Sequence, residues 1–221
     1  MMAFDLASYA AECGVAEPER FVERCNLFRD YLLETNRTLN LTRITGVEEF
    51  AVKHVADSLA IARYFPEFRE ARLRVADIGC GAGFPSLVLA LAFPNLLLTP
   101  IDSTGKKAAF VERAARLLEL DNVRVVTGRS CELNRKGEFK SRFDVVTARA
   151  VAPAPVIWKD AGNFTNRHGR FILYKTPEQA AEDLPALEQL CAGRTIRWQV
   201  TERFELPEGF GTRLFLYSLP R

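Results

Sequence analysis

Histidine is almost missing from these 221 residues: there are two, far apart. A zinc site built from clustered histidines and cysteines is thereby excluded, and no metal is expected. Cysteine is sparse and unpatterned. Cys13, Cys25, Cys80, Cys131 and Cys191 are odd in number and include no C-x-x-C, which excludes a disulfide framework and fits reduced thiols. Long hydrophobic runs are absent. The longest, Leu87 to Phe93, is far too short to span a bilayer, and residues 1–10 carry Asp5 and no apolar core, unlike a secretory signal. A cytoplasmic protein with no membrane contact is expected. Neither sign of charge prevails, because 30 Lys and Arg face 28 Asp and Glu for a net charge of +2. That balance neither demands nor excludes nucleic acid. No G-x-x-x-x-G-K-[ST] phosphate loop, no Ser/His/Asp arrangement and no paired carboxylates are legible.

What is present is ordinary globular composition, with 48% hydrophobic and 26% charged residues. A chain of this size buries about 70% of its unfolded surface and needs no staples. Residues 1–70 read as a helical extension. Asp5 to Cys13 is one helix and Pro18 to Thr35 a second, with Phe21, Cys25, Phe28 and Leu32 at helical spacing. Asn36 to Thr42 reads as a polar loop. Thr45-Gly-Val-Glu48 fits a capping box at the start of a third helix reaching Phe65. From Leu73 strands and helices alternate through residues 71–221. Strands are predicted at Leu73–Ile78, Leu96–Ile101, Val123–Thr127, Phe143–Ala148 and Arg170–Tyr174, with helices at Pro85–Phe93, Lys106–Leu118, Pro153–Ala161 and Glu178–Leu190. The second strand's regular pairing is expected to stop near Thr99, ahead of Pro100. Two last strands, Arg194–Phe204 and Thr212–Leu219, flank the hairpin signal Pro207-Glu-Gly-Phe-Gly211. Repeated β-α units imply an α/β fold: a Rossmann-like, mostly parallel sheet with right-handed crossovers and an antiparallel carboxyl-terminal edge.

The chemistry gathers at the ends of those strands. Val75-Ala-Asp-Ile-Gly-Cys-Gly-Ala-Gly-Phe-Pro85 is an apolar strand turning through Gly79, Gly81 and Gly83 into an apolar helix. Such a turn bares backbone N–H groups toward a ligand. A dinucleotide fingerprint needs G-x-G-x-x-G, and here the third glycine comes one residue early, with Phe84 in the reserved place. Asp77 before a G-x-G-x-G instead resembles motif I of class I S-adenosylmethionine-dependent methyltransferases. Asp102 stands 19 residues beyond Gly83, at the end of the second strand. An acid there accepts hydrogen bonds from ribose hydroxyls, or else simply caps the helix that follows. Ser130 and Cys131 follow the third strand. Arg149 ends the fourth, where an arginine can hold a carboxylate, a phosphate or guanine O6, and loss of its side chain there is expected to cost little stability. From Arg124 to Arg149 seven basic residues accompany three acids, an excess of +4 that suits a polyanion.

Five segments occur in one order: Asn40-Leu-Thr42, Lys53-His-Val-Ala-Asp-Ser58, Asp77-Ile-Gly-Cys-Gly-Ala-Gly-Phe-Pro85, Ile101-Asp-Ser-Thr-Gly-Lys-Lys107 and Thr147-Ala-Arg-Ala150. Together they resemble the guanine-N7 methyltransferase G family of small-subunit ribosomal RNA, also called glucose-inhibited division protein B, over about residues 20–175. The resemblance implies a class I methyltransferase fold, S-adenosyl-L-methionine as cofactor, and a guanine of 16S ribosomal RNA, or of the small ribosomal subunit, as substrate. It places the cofactor against Asp77, Gly79, Gly81, Gly83, Phe84, Asp102, Ser103, Ser130, Cys131 and Arg149, with Arg149 also the catalytic candidate. Arg43, Lys53, His54, Lys106, Lys107 and Lys175 are candidates for RNA contact, although His54 suits a partly buried helix position equally well. Ser86 and Thr176 replace glycines usual in the family. A monomer is expected. A catalytically silent RNA-binding module and a nicotinamide-dependent dehydrogenase are the alternatives.

Overall fold

The computed structural model of the chain describes residues 4–219. Helix α1 (Leu6–Glu12) starts where Asp5 accepts the backbone N–H groups of Ala7 and Ser8, so an N-cap carboxylate satisfies two of the donors a helix start leaves bare. Helix α2 runs from Pro18 to Leu39. It is longer than the sequence suggests, because Asn36 stays helical. The Asn36 side chain then accepts from Leu41 and Thr42 N–H and donates to Thr42 O, shaping the turn that follows. The third helical segment, α3, combines Val47–Glu49, a π-helical stretch Phe50–Ala56, Asp57–Leu59 and, past Ala60, Ile61–Tyr64. The expected capping box is not formed: Gly46 is the N-cap and no side chain caps it. A short helix α4 (Glu67–Glu70) leads into the sheet.

Strands β1 (Arg74–Ile78), β2 (Leu97–Asp102), β3 (Val126–Thr127), β4 (Phe143–Arg149) and β5 (Thr165–Lys175) are parallel; β6 (Trp198–Val200), β7 (Phe204–Glu205) and β8 (Thr212–Ser218) complete the sheet. The order is β3-β2-β1-β4-β5-β8-β6, with β8 antiparallel to β5, β6 and β7. Helices α5 (Ser86–Ala92), α6 (Gly105–Leu117), α7 (Ser130–Leu133), α8 (Ala154–Ala161) and α9 (Pro177–Leu190) fill the connections. The hairpin at Pro207 forms between β7 and β8. The strand predicted from Arg194 to Phe204 breaks into β6 and β7, and α7 occupies part of the segment read as a charged loop.

Proline at 100 does not end its strand. Pro100 pairs in register with Asp77 of β1. Leu98 N–H points the other way, to Asn122 O, so residue 100 also faces the β3 side. There the ladder is interrupted between the Leu98–Val123 bridge and the Ile101–Val126 pair, and no strand needs the missing N–H.

Alternation along the strands builds two cores. Val75, Leu98, Val145 and Phe215 face one side, where Phe21, Phe28, Leu32 and Phe50 of the amino-terminal helices bury themselves. Ala76, Val146, Phe171 and Leu216 face the other, against Trp158 and Leu187 of α8 and α9. Period-2 burial on both faces of a parallel sheet is what a three-layer α/β sandwich requires. The extension therefore shares a continuous core with the sheet. No helix among the described residues is long and apolar enough to cross a membrane.

Candidate functional site

The carboxyl ends of β1, β2 and β4 open into a cleft of about 420 Å³, walled by Gly79, Gly81 and Phe84 from the glycine turn, Asp102 and Ser103 from β2, Arg149 from β4, and Thr42 and His54 from the extension. A second hollow of about 240 Å³ continues it toward Gly128, Ser130 and Cys131, and Gly79, Ser103 and Val151 line both. The site is one elongated trough over the strand order's reversal, where open α/β sheets hold ligands.

Asp102 ties the trough together. One carboxylate oxygen accepts Gly81 N–H at 3.0 Å, the other Thr104 N–H at 2.8 Å, and each keeps lone-pair capacity for a further donor. The helix N-cap itself is Thr104. Gly81 has φ +56°, and a Cβ there would meet only Gly79 O at 3.9 Å. Its exposed face leaves room for close backbone approach by a ligand. Over Gly79 the situation is opposite: the Val151 side chain lies 2.6 Å from where a Cβ would be.

Two expected cofactor residues sit beneath the trough instead of in it. Asp77 is fully buried and accepts the Ser86 hydroxyl at 2.6 Å. Burial pushes its carboxyl up to about 7, against the downward pull of the Ser86 hydrogen bond and the Arg149 charge. Gly83 is packed on Leu87, 2.6 Å from an added Cβ, so its task is close helix packing. Ser86, unlike glycine, supplies the buried acid with a donor.

His54, a candidate for RNA contact that suits a partly buried helix position equally well, occupies the buried position. It is 8% exposed and its ring stacks on Phe84, with centroids 4.1 Å apart and planes 5° off parallel. Desolvation, then the Arg149 and Lys53 charges, push its pKa down to about 3, so it is neutral and unsuited to a phosphate. Arg149 only donates. Its Nη2, 3.3 Å from His54 Nδ1, makes that nitrogen the acceptor, and Nε2–H then donates to Thr42 Oγ1 at 3.1 Å. Arg149 Nη1 also reaches Lys53 O at 2.9 Å and Asp57 Oδ2 at 3.0 Å. Asp57 is buried and has Arg213 at 3.5 Å on its other oxygen. The arginine is thus a brace between β4 and α3. Nothing in the sequence pattern distinguished Asp57 from a surface acid of an amphipathic helix.

Lys175 is 7% exposed, paired with Asp183 at 2.7 Å and bonded to Ala152 O at 3.1 Å, so its ammonium lies within a hollow instead of on an open surface. Lys53 is engaged by Glu49 at 2.6 Å and lies over the Phe210 ring. Arg43 and Lys106 are exposed and Lys107 is half-buried in the cleft wall; their side chains make no ion pair among the described residues.

The model of the family described as rRNA small subunit methyltransferase G matches residues 22–205. The chain belongs to that family. Its relatives include the ribosomal RNA small subunit methyltransferase G of Solibacter usitatus, 41% identical over 83% of this chain and 83% of that protein. The Mycoplasma capricolum protein of the same name is 38% identical over 88% of this chain and 80% of its own length. Among solved structures, an O-methyltransferase from Bacillus cereus in complex with S-adenosylhomocysteine superposes with a TM-score of 0.60 at 14% identity, covering 88% of this chain and 90% of that one. The O-methyltransferase TomG from Streptomyces achromogenes, in complex with S-adenosylmethionine, gives 0.57 at 17% identity over 90% and 89%. These likenesses show the class I methyltransferase fold.

Proposed function

We propose that the protein transfers a methyl group from S-adenosylmethionine to N7 of a guanine in 16S ribosomal RNA. The observation that carries this is the divided trough with Asp102 in its wall. The cofactor has a charged amino-acid end, a ribose and an adenine, and the two parts of the trough offer groups that suit them. Arg149, Lys107 and the Asp102 carboxylate with spare lone pairs line the larger part, and half-buried Ser130 and Cys131 line the smaller part that continues it. Gly81 supplies the open backbone the group needs to pass.

The bound cofactor supplies an activated methyl on a sulfonium. Guanine N7 has a free lone pair and no proton to lose, so the protein needs no general base. The site has none poised: His54 is neutral with both nitrogens engaged, and Asp77 is sealed under the turn. What the residues do is align and exclude water. Phe84 and His54 form a rigid wall, Arg149 fixes it to β4, and exposed Arg43 and Lys106 with Lys107 offer charge to RNA phosphates. We expect a cytoplasmic monomer acting on the small subunit or its RNA.

The test is transfer of labelled methyl to small ribosomal subunits lacking base methylation, with nuclease mapping of the product. One N7-methylguanine in 16S RNA is expected. RNA binding without transfer points to a silent binding module, and thermal stabilisation by NAD instead of S-adenosylhomocysteine points to a dehydrogenase; either result refutes the proposal.

A further inference from the structure

A third hollow, of about 370 Å³, lies beyond the loop after β4, and Ala150 and Val151 line both it and the cofactor trough. Its far wall is Lys175 at the end of β5 with Gln179, Glu182 and Asp183 of α9. The volume falls in the range of small-ligand pockets. Lys175 carries three N–H donors. Ala152 O accepts one and Asp183 stands in ion-pair range at 2.7 Å, so donor capacity remains for a ligand. Glu182 is exposed and its carboxylate has no ion-pair partner among the described residues.

Resting on the function proposed above, we propose that this hollow is the subsite for the target guanine. The free Lys175 N–H meets O6, and the Glu182 carboxylate accepts from N1–H and the N2 amino group. The order of groups carries the inference. Around guanine run N7, O6, N1 and N2. Across the protein run the β4 loop beside the cofactor trough, Lys175 on the adjacent strand, and Glu182 on the helix after it. N7 thus points back at the trough while the opposite edge is read. Adenine is rejected at both positions, because its N6 amino group meets an ammonium and its N1 lone pair meets a carboxylate. The Lys175–Asp183 pair becomes explicable too: a buried lysine held by one carboxylate is pre-aimed.

The test compares small subunits reconstituted with 16S RNA bearing guanine or inosine at the mapped position. Inosine lacks only the N2 amino group. The unaltered protein should prefer guanine roughly tenfold in kcat/KM, and in Kd measured with S-adenosylhomocysteine present, as expected for one hydrogen bond to a charged acceptor. In Glu182→Ala that preference should fall below about twofold while S-adenosylhomocysteine affinity is unchanged. A Glu182→Ala protein that keeps the full preference, or an unaltered one that shows none, overturns the subsite. An unaltered protein that methylates no guanine overturns the function itself, a separate result.

Discussion

Replacing Asp77 by asparagine should stabilise the protein increasingly as pH rises from 5 to 7. Asp77 is wholly buried, one carboxylate oxygen bonded to Ser86 at 2.6 Å and the other without a partner. Its carboxyl stands at about 7 in the fold against an ordinary 3.8. The folded chain then holds a proton that the unfolded chain has released. A raised carboxyl pKa makes a stabilising contribution that is full below the unfolded value and is lost as pH rises through the folded one. Between pH 5 and 7 the loss, at about 1.36 kcal/mol per pH unit and flattening as the group reaches half-ionisation at about 7, amounts to about 2.3 kcal/mol. Asparagine copies the neutral acid, accepts from Ser86 as before, and cannot ionise. Urea unfolding of both proteins at pH 5, 6, 7 and 8 should show the difference in unfolding free energy growing steeply to pH 7 and levelling toward pH 8. A difference that is flat with pH would mean that Asp77 titrates normally and that water reaches it.

Further outcomes concern the trough and its brace. Gly81→Val should stay folded, at a cost of about 1–2 kcal/mol for a β-branched residue at φ +56°, yet lose S-adenosylhomocysteine binding in calorimetry, because the added side chain enters open cleft; retained tight binding would make the turn a mere connector. Asp102→Ala should weaken that binding at least about tenfold, about 1.4 kcal/mol, and unchanged affinity would remove Asp102 from the site. Asp57→Ala leaves Arg149 and Arg213 without their shared acid and should cost about 3 kcal/mol in urea unfolding. Arg149→Met should cost less, since Asp57 keeps Arg213. In the double variant the two losses should fall short of their sum by more than about 1 kcal/mol, and strict additivity would deny the brace.

Much of this arrangement is legible in the residues because it depends on backbone form. The glycine turn, the acid ending β2 and the β-α alternation are local patterns, and they point to the end of the sheet where the trough lies. What escapes the sequence depends on direction. Asp77 and Asp102 are both strand-end acids, yet one points under the turn and the other over it. Lys175 and Lys106 look alike, yet only one has a buried acid facing it, from eight residues further along the chain. Helix α3 misleads for a different reason. A π-helical stretch over Phe50–Ala56 breaks the 3.6-residue period, so Val52, His54, Val55, Ala56, Asp57 and Ser58 are all buried and no apolar stripe announces them. Thr176 departs from a glycine, and its reason appears only in three dimensions, as the N-cap of a capping box with Gln179.

The amino-terminal helices read as an extension, but the site is not complete without them. Phe84, the residue that displaces the third fingerprint glycine, meets Phe28 at 5.2 Å, Phe50 at 5.9 Å and His54 at 4.1 Å between ring centroids, all from the extension. Such pairs add about 0.5–1.5 kcal/mol each beyond burial. They make the position of the glycine turn depend on α2 and α3. The same helices supply Thr42 and His54 to the cleft wall and Asp57 to the Arg149 brace. A dinucleotide turn uses its third glycine to bring helix and strand together. Here an aromatic ring in that place is an anchor for a second layer, and that layer closes the side of the trough that a bare sheet would leave open to water. The extra helices and the altered glycine spacing are therefore one feature, seen from two ends of the chain.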